Sequence, residues 1–335
     1  MKSLSRFRPD NLVLALLLTA TIATLLPVHG KGADYLSDFT IGSVALLFFL
    51  HGARLMPQTV LQGFAHWRLH LTILACTFVM FPLLSIPIGL LSPSVIDPAI
   101  YMGFIYLCIL PSTIQSSIAF TSIAGGNVAG AVVAASSSNM LGVVLTPVLA
   151  TLFFKTEGGV NADAVESIAM QLLLPFVLGQ LAQRWIGGWV RNNRKLVGLV
   201  ERGSILCVVY LAFSDAITDG VWFRLSALDL LVIFLIVAVL LAVVLYATRT
   251  FSRLLGFSRE DEITIVFCGS KKSMGSGLPM ANIIFAGQAL GLIVLPMIIF
   301  HQLQLMVCAG LAKRYAAAGA TKTEQPNPVR VHSNP

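Results

Sequence analysis

Ten apolar stretches, each long enough to cross a bilayer, leave this chain little choice but to fold in lipid. A membrane span needs about 20 apolar residues. Such runs fall near 12–28, 36–53, 69–91, 98–124, 127–154, 165–186, 200–218, 227–248, 260–286 and 288–312. Only 11% of the residues are charged, against roughly 25% in a soluble domain. Hydrocarbon leaves no unpaired backbone group satisfied, so spans of this length must be helices. The expected fold is an all-α membrane protein of ten transmembrane helices.

The net charge of +7 is a topology signal. With the N-terminus in the cytoplasm, seventeen basic residues lie inside and only Lys31, Lys155 and Arg224 outside, as the positive-inside rule requires. The expected protein is therefore multi-pass in the plasma (inner) membrane, with both termini cytoplasmic. Its partner is the lipid bilayer, not nucleic acid, and no pattern specifies an oligomeric state. The apolar run LVLALLLTATIATLL follows a basic stretch as in a signal peptide. Removing it would break the charge balance, and Pro27-Val28-His29-Gly30 makes a poor cleavage site, so it is read as the first span.

A polar, glycine-containing linker at 155–164 separates residues 1–154 from 165–315, with five spans in each half, and a polar, disordered tail is expected at 316–335. An odd number of spans per half inverts the second half relative to the first, the arrangement of inverted-repeat transporters.

Two spans are interrupted by polar residues at mid-membrane. The fourth, PAIYMGFIYLCILPSTIQSSIAFTSIAGGN, carries Pro111, Ser112, Thr113, Gln115, Ser116 and Ser117. The ninth, REDEITIVFCGSKKSMGSGLPMANIIF, carries Gly269, Ser270, Lys271, Lys272 and Ser273. Pro111 has no N–H and clashes with the preceding turn, so the fourth helix should break there. Freed backbone groups are tolerated in lipid only where they line a cavity or meet another chain. Crossed breaks would bring four half-helix ends together, the N-terminal ends attracting anions and the C-terminal ends cations. The fifth span, with Ser136, Ser137, Ser138 and Asn139, would add polar groups there.

Small polar residues also serve plain helix packing, and a lysine can snorkel to the headgroups. Lys271 and Lys272 lie about ten residues from Arg259-Glu260 and about fifteen from Gln288, too deep for both at 1.5 Å per residue. Intramembrane charge marks function by default. Every carboxylate maps to a span end or loop, which points to a bound organic anion or to a lysine that changes protonation. Adjacent helical residues point about 100° apart, so one lysine is expected to face a cavity and the other a protein partner.

No Ser-His-Asp order, HExxH, P-loop or GxGxxG pattern appears, so no enzyme is expected. Five cysteines without CxxC spacing are read as buried apolar residues, and six histidines show no ligand spacing.

The 5+5 arrangement, LPSTIQSSIAF and above all FCGSKKSMGSGLPMANIIF resemble the bile acid:sodium symporter family, in its sodium/bile acid cotransporter 7-like branch, over residues 8–315. The resemblance implies a panel domain (spans 1, 2, 6 and 7) and a core domain (3–5 and 8–10), with broken spans 4 and 9 crossed at sodium sites. Other members carry a Ser-Asn pair where Ser116 and Ser117 stand here. Their sodium-holding Glu and Gln fall on Phe267 and Lys271, and hydroxyl ligands on the fifth span fall on Ala131 and Ala135. Two arrangements are open: Lys271 supplies sodium's charge, or sodium stays on Ser116, Ser117, Ser270 and backbone carbonyls. No other cofactor is implied.

The expected function is secondary transport of a small organic anion by alternating access. Binding is expected at Pro111, Ser112, Thr113, Gln115, Ser116, Ser117, Ser138, Asn139, Ser270, Lys271, Lys272 and Ser273. A non-transporting regulator of ion (for instance calcium) homeostasis and an ion channel are the other readings. A channel would call for a continuous polar stripe or rings of like residues.

Overall fold

The computed structural model describes residues 11–54, 66–154, 169–218, 220, 225–286 and 288–323, and among these there is no strand. The helices are α1 (Asn11–Leu25), α2 (Lys31–Arg54), α3 (Trp67–Leu91), α4 (Pro98–Ile109), α5 (Ile114–Ile123) and α6 (Val128–Phe154), followed by α7 (Leu174–Asn192), α8 (Arg194–Thr218), α9 (Ala227–Leu254), α10 (Arg259–Gly269), α11 (Met274–Ile284) and α12 (Leu290–Thr323). The linker expected at 155–164 and the tail beyond 323 lie outside the described residues. Helix α12 continues through Thr323, past residue 315 where the second half was expected to end.

Among the described residues, six helices (α2, α3, α6, α8, α9 and most of α12) are long and apolar enough to cross a membrane, and α4 with α5, bent by 60° at their junction, make a seventh if counted together. The other apolar runs of the sequence give a short α1, an α7 bearing Gln180, Gln183 and Arg184, and an α10–α11 pair that begins on Arg259, Glu260, Asp261 and Glu262.

Helix starts follow local chemistry. Asp97 caps α4 by accepting from the Ala99 N–H at 2.8 Å. Ser226 and Asp229 form a reciprocal capping box on α9. Ser258 caps α10, whose first turn holds three acids, favourable against the positive end of the helix dipole. One of them, Glu262, accepts from Arg253 Nε at 2.9 Å and from the Tyr315 hydroxyl at 3.0 Å.

Lipid tails are as apolar as leucine, so helices in a bilayer are held by close packing rather than by burial from water. Glycine supplies that approach where α2 meets α7. A Cβ on Gly52 would run into the Phe176 carbonyl, and one on Gly179 into the Phe49 carbonyl. The two positions are reciprocal across the same crossing. Elsewhere a Cβ on Gly103 of α4 would strike the Ile293 carbonyl of α12, and edge-on ring pairs join Tyr106 to Phe285 at 5.1 Å and Phe154 to Phe285 at 5.2 Å.

The turn after α5 is fastened to α10. The Asn127 N–H donates to the Glu260 carbonyl at 3.1 Å, its Nδ2 to Asp261 Oδ1 at 2.9 Å, and its Oδ1 accepts from the Gly130 N–H at 2.8 Å. Asn127→Ala removes a helix cap and a cross-helix bond together and should cost about 1–2 kcal/mol, read as a lower melting temperature of the detergent-purified protein. Asn127→Asp keeps the cap but sets a carboxylate beside Asp261, and should be no more stable than the alanine variant.

Candidate functional site

Helix α4 ends where the sequence demands. Pro111 cannot donate, and the residue before a proline is pushed to extended backbone; Leu110 sits at φ −70°, ψ 153°. The carbonyls thereby orphaned each find a donor from another element. Ile109 O accepts from Thr146 Oγ1 at 2.9 Å, Pro111 O from the Ser273 N–H at 2.8 Å, and Ser112 O from Asn139 Nδ2. Cys108 O and Leu110 O each accept from Lys272 Nζ at 2.7 Å. Gly142 makes room for this turn, since a Cβ there would lie 2.5 Å from the Pro111 ring.

The second break runs from Ser270 to Ser273, between α10 and α11. The first break supplies its partners in return. Ser112 Oγ donates to Cys268 O at 2.6 Å and Thr113 Oγ1 to Lys272 O at 2.9 Å. The Ser112 N–H donates to Ser138 Oγ at 3.0 Å, and Ser117 Oγ lies 3.3 Å from Ser112 Oγ. Ser270 Oγ turns back to Val266 O at 2.6 Å. The two interrupted segments therefore cross and satisfy one another, as buried backbone groups must.

The lysines depart from expectation. Both are buried, at 0% and 1% exposure, and neither lines the polar cavity beside the crossing. Besides the two α4 carbonyls, Lys272 Nζ reaches Thr77 O at 2.8 Å, within a π turn of α3 spanning Cys76–Met80. It also stands 4.1 Å over the Phe81 ring. Lys271 Nζ lies 4.2 Å over the Phe120 ring and has no hydrogen-bond partner among the described residues. Both therefore face protein, because the end of α10 is enclosed by α3, α5 and α12.

The cavity lies beside the crossing. It measures about 610 Å³ and is floored by the first turns of both half-helices, Thr113 to Ser116 of α5 and Ser273 to Ser276 of α11. Asn139 of α6 and His301 of α12 complete that side. Arg54 of α2 and Arg194, Lys195 and Arg202 of α8 also line the cavity, with Glu201 the one carboxylate in the lining among the described residues; a Cβ on Gly275, in the first turn of α11, would lie 2.6 Å from Glu201 Oε1. An adjoining space of about 250 Å³ shares Arg54, Arg194, Asn139 and Ser276 and adds Ser136 and Arg191. Ser276 is 4% exposed, yet its hydroxyl has no partner, and Ser116 Oγ is likewise unpartnered. Thr113, the N-cap of α5, makes no capping bond, its hydroxyl being spent on Lys272 O.

Of the expected site residues, Thr113, Gln115, Ser116, Asn139 and Ser273 meet at the cavity. Pro111, Ser112, Ser117, Ser138, Ser270, Lys271 and Lys272 do not line it; most of them build the crossing behind it. Sequence reasoning missed the rim. Arg54, Arg194 and Arg202 served as topology charges, although Arg194, Gly198, Glu201, Arg202 and Ile205 recur at helical spacing and mark one face of α8. Of the groups expected to hold sodium, Ser116 Oγ is unpartnered at the cavity, whereas Ser117 Oγ lies beside Ser112 Oγ and Ser270 Oγ donates to Val266 O. The α4-end carbonyls of Cys108 and Leu110 are taken by Lys272 Nζ. Among the described residues no group of three His, Cys, Asp or Glu could hold a metal ion.

The family profile described as "SBF-like CPA transporter family (DUF4137)" matches residues 10–317. An uncharacterized Pseudomonas aeruginosa protein is 50% identical over 328 residues, covering 96% of this chain and 98% of its own length. The Escherichia coli (strain K12) protein named "Putative symporter YfeH" is 48% identical, covering 91% and 92%. Sodium/bile acid cotransporter 7 of Rattus norvegicus is 30% identical, covering 92% of each chain. Interrupted helices crossed beside a polar cavity are frequent in carriers, and matches of this length place it: the chain belongs to the SBF-like CPA transporter family and is a multi-pass membrane transporter.

Proposed function

We propose that the protein is a secondary transporter of a small organic anion, working by alternating access between a panel of α1, α2, α7 and α8 and a core of α3–α6 and α9–α12. The observation that carries this reading is the pairing of two half-helix N-termini at one cavity that four cationic side chains also line. A helix N-terminus presents unpaired N–H groups and about half a positive charge. Two such ends, two unpartnered hydroxyls and a basic rim make an anion receptor. A volume of about 610 Å³ suits a small organic molecule.

Packing supports two inverted five-span repeats, 1–154 and 165–315, joined by 155–164 and making ten spans with α4–α5 and α10–α11 each counted as one. Exchanging the halves turns the contact of α1 with α8 into that of α7 with α2, and both contacts exist. It likewise turns α4 on α12 into α6 against α10 and α11, again both present. In the topology with cytoplasmic termini, Arg54, Arg194 and Arg202 lie at the inner face of the plasma membrane, so this conformation opens inward.

Uptake of labelled mono- and dicarboxylates and sulfonates into proteoliposomes tests the reading. Saturable uptake is expected, and Arg54→Gln with Arg194→Gln should raise KM about tenfold or more while the melting temperature holds. A folded protein that neither takes up nor binds any anion of the panel would overturn it, as would a double variant with unchanged KM. The names of the vertebrate relatives put sodium forward as the coupled ion. A lysine in sodium's stead is the other arrangement, and uptake with and without a sodium gradient separates the two.

A further inference from the structure

We propose that the carbonyls of Thr77, Cys108 and Leu110 form a monovalent-cation site whose resident cation is the ε-ammonium of Lys272, so that the crossing of the two breaks carries its own positive charge and assembles without a bound ion. The inference shares the crossing with the transport reading above but rests on bonding alone, and its first test reads stability rather than uptake.

Lysine offers three N–H donors and no acceptor. At Lys272 all three are matched, by carbonyls at 2.8, 2.7 and 2.7 Å. Those distances lie in the range of charge-assisted bonds. A fourth side is closed by the face of Phe81 at 4.1 Å, where a ring's negative quadrupole attracts a cation. Each acceptor is available for a separate reason. Cys108 and Leu110 lose their helical donors because Pro111 ends α4, and Thr77 sits in a π turn, whose wider ring disturbs the usual ladder.

The cage also has the charge a cation needs. It lies at the C-terminal end of α4, and the stem of Lys272 leaves just after the C-terminal end of α10. Each such end carries about half a negative charge, so two of them call for about one positive charge. The main chain adds rigidity, because the Lys272 N–H donates to Gln304 Oε1 at 3.3 Å and its carbonyl accepts from Thr113. The lysine is thereby held from α3, α4, α5 and α12 at once. Lys271, its neighbour, has none of these carbonyl bonds. The residue that stands in for a bound cation is therefore Lys272.

The test is thermal unfolding of the full-length protein in detergent, at constant ionic strength, in choline, sodium, potassium, ammonium or n-propylammonium chloride. Wild type should melt at the same temperature in all five. Lys272→Ala, which deletes a propylammonium fragment, should fall by about 10 °C in choline and regain at least half of that, saturably, in n-propylammonium. Lys272→Met fills the stem but carries no donor, so it should be destabilised and recovered by none of the salts. The proposal is overturned by a Lys272→Ala protein that melts like wild type, or that no cation stabilises. It is equally overturned if wild type gains more than about 3 °C in sodium over choline, an arm that decides even where the alanine variant does not fold. Sodium-stimulated uptake by wild type would sink the inference while leaving anion transport standing, whereas absence of any uptake would sink only the transport reading.

Discussion

Ser276→Asp should fold as stably as the wild type and lose transport by about 100-fold, equivalent to about 2.7 kcal/mol of anion binding. Ser276 is the third residue of α11, behind the capping Ser273. A carboxylate in the first turn of a helix is favourable by roughly 0.3–1 kcal/mol, so the melting temperature should hold or rise. The same carboxylate occupies the place a substrate anion would take and repels whatever approaches it. Ser276→Asn, equal in size and neutral, should keep uptake within about fivefold of wild type. Measuring KM and melting temperature for both variants separates charge from bulk. An Asp variant that transports normally would put the anion somewhere other than the paired helix N-termini.

Gly52→Val should yield no stable protein. Its Cβ would overlap the Phe176 carbonyl and approach the Gln180 N–H at 2.9 Å, and neither helix backbone can yield without separating α2 from α7. Backbone collisions of this kind belong to the rare substitutions that cost about 4 kcal/mol or more. Gly179→Val meets the Phe49 carbonyl in the same way and should fail equally. Gly42, on the same helix as Gly52, has open space around it. Gly42→Ala should therefore be harmless, or stabilising by up to about 1 kcal/mol through helix propensity. Yield of monodisperse protein and melting temperature report the comparison. A Gly52→Val protein that purifies and melts like wild type would show that the two helices do not pack this closely.

How much of this was legible beforehand differs from element to element. The break in the fourth span was, because a proline inside an apolar run removes a donor wherever the chain folds. The break in the ninth followed from Gly269 and the polar run after it, whereas the hydroxyls of Ser112 and Thr113, expected to bind a ligand, instead donate to the freed carbonyls of Cys268 and Lys272. The π turn at Cys76–Met80 was not legible, since nothing in Cys-Thr-Phe-Val-Met distinguishes it from ordinary helix. The basic rim of the cavity hid in plain view. Arg54, Arg194 and Arg202 satisfy the positive-inside rule whether or not they touch a substrate, so one observation answered to two causes.

The lysines divide the question most cleanly. Local chemistry alone required that two ammonium groups at mid-membrane find shelter, since hydrocarbon offers none. It also determined that the chain is helical, that it lies in a bilayer, and where its helices must lose their internal bonds. Which orphaned carbonyl meets which donor depended on distances across four helices far apart in the chain, and only the folded arrangement decided that. Lys272 rather than Lys271 reaches the carbonyls because the turn after Gly269 aims consecutive side chains at different neighbours. That direction is set by how the helices cross and not by the order of the residues.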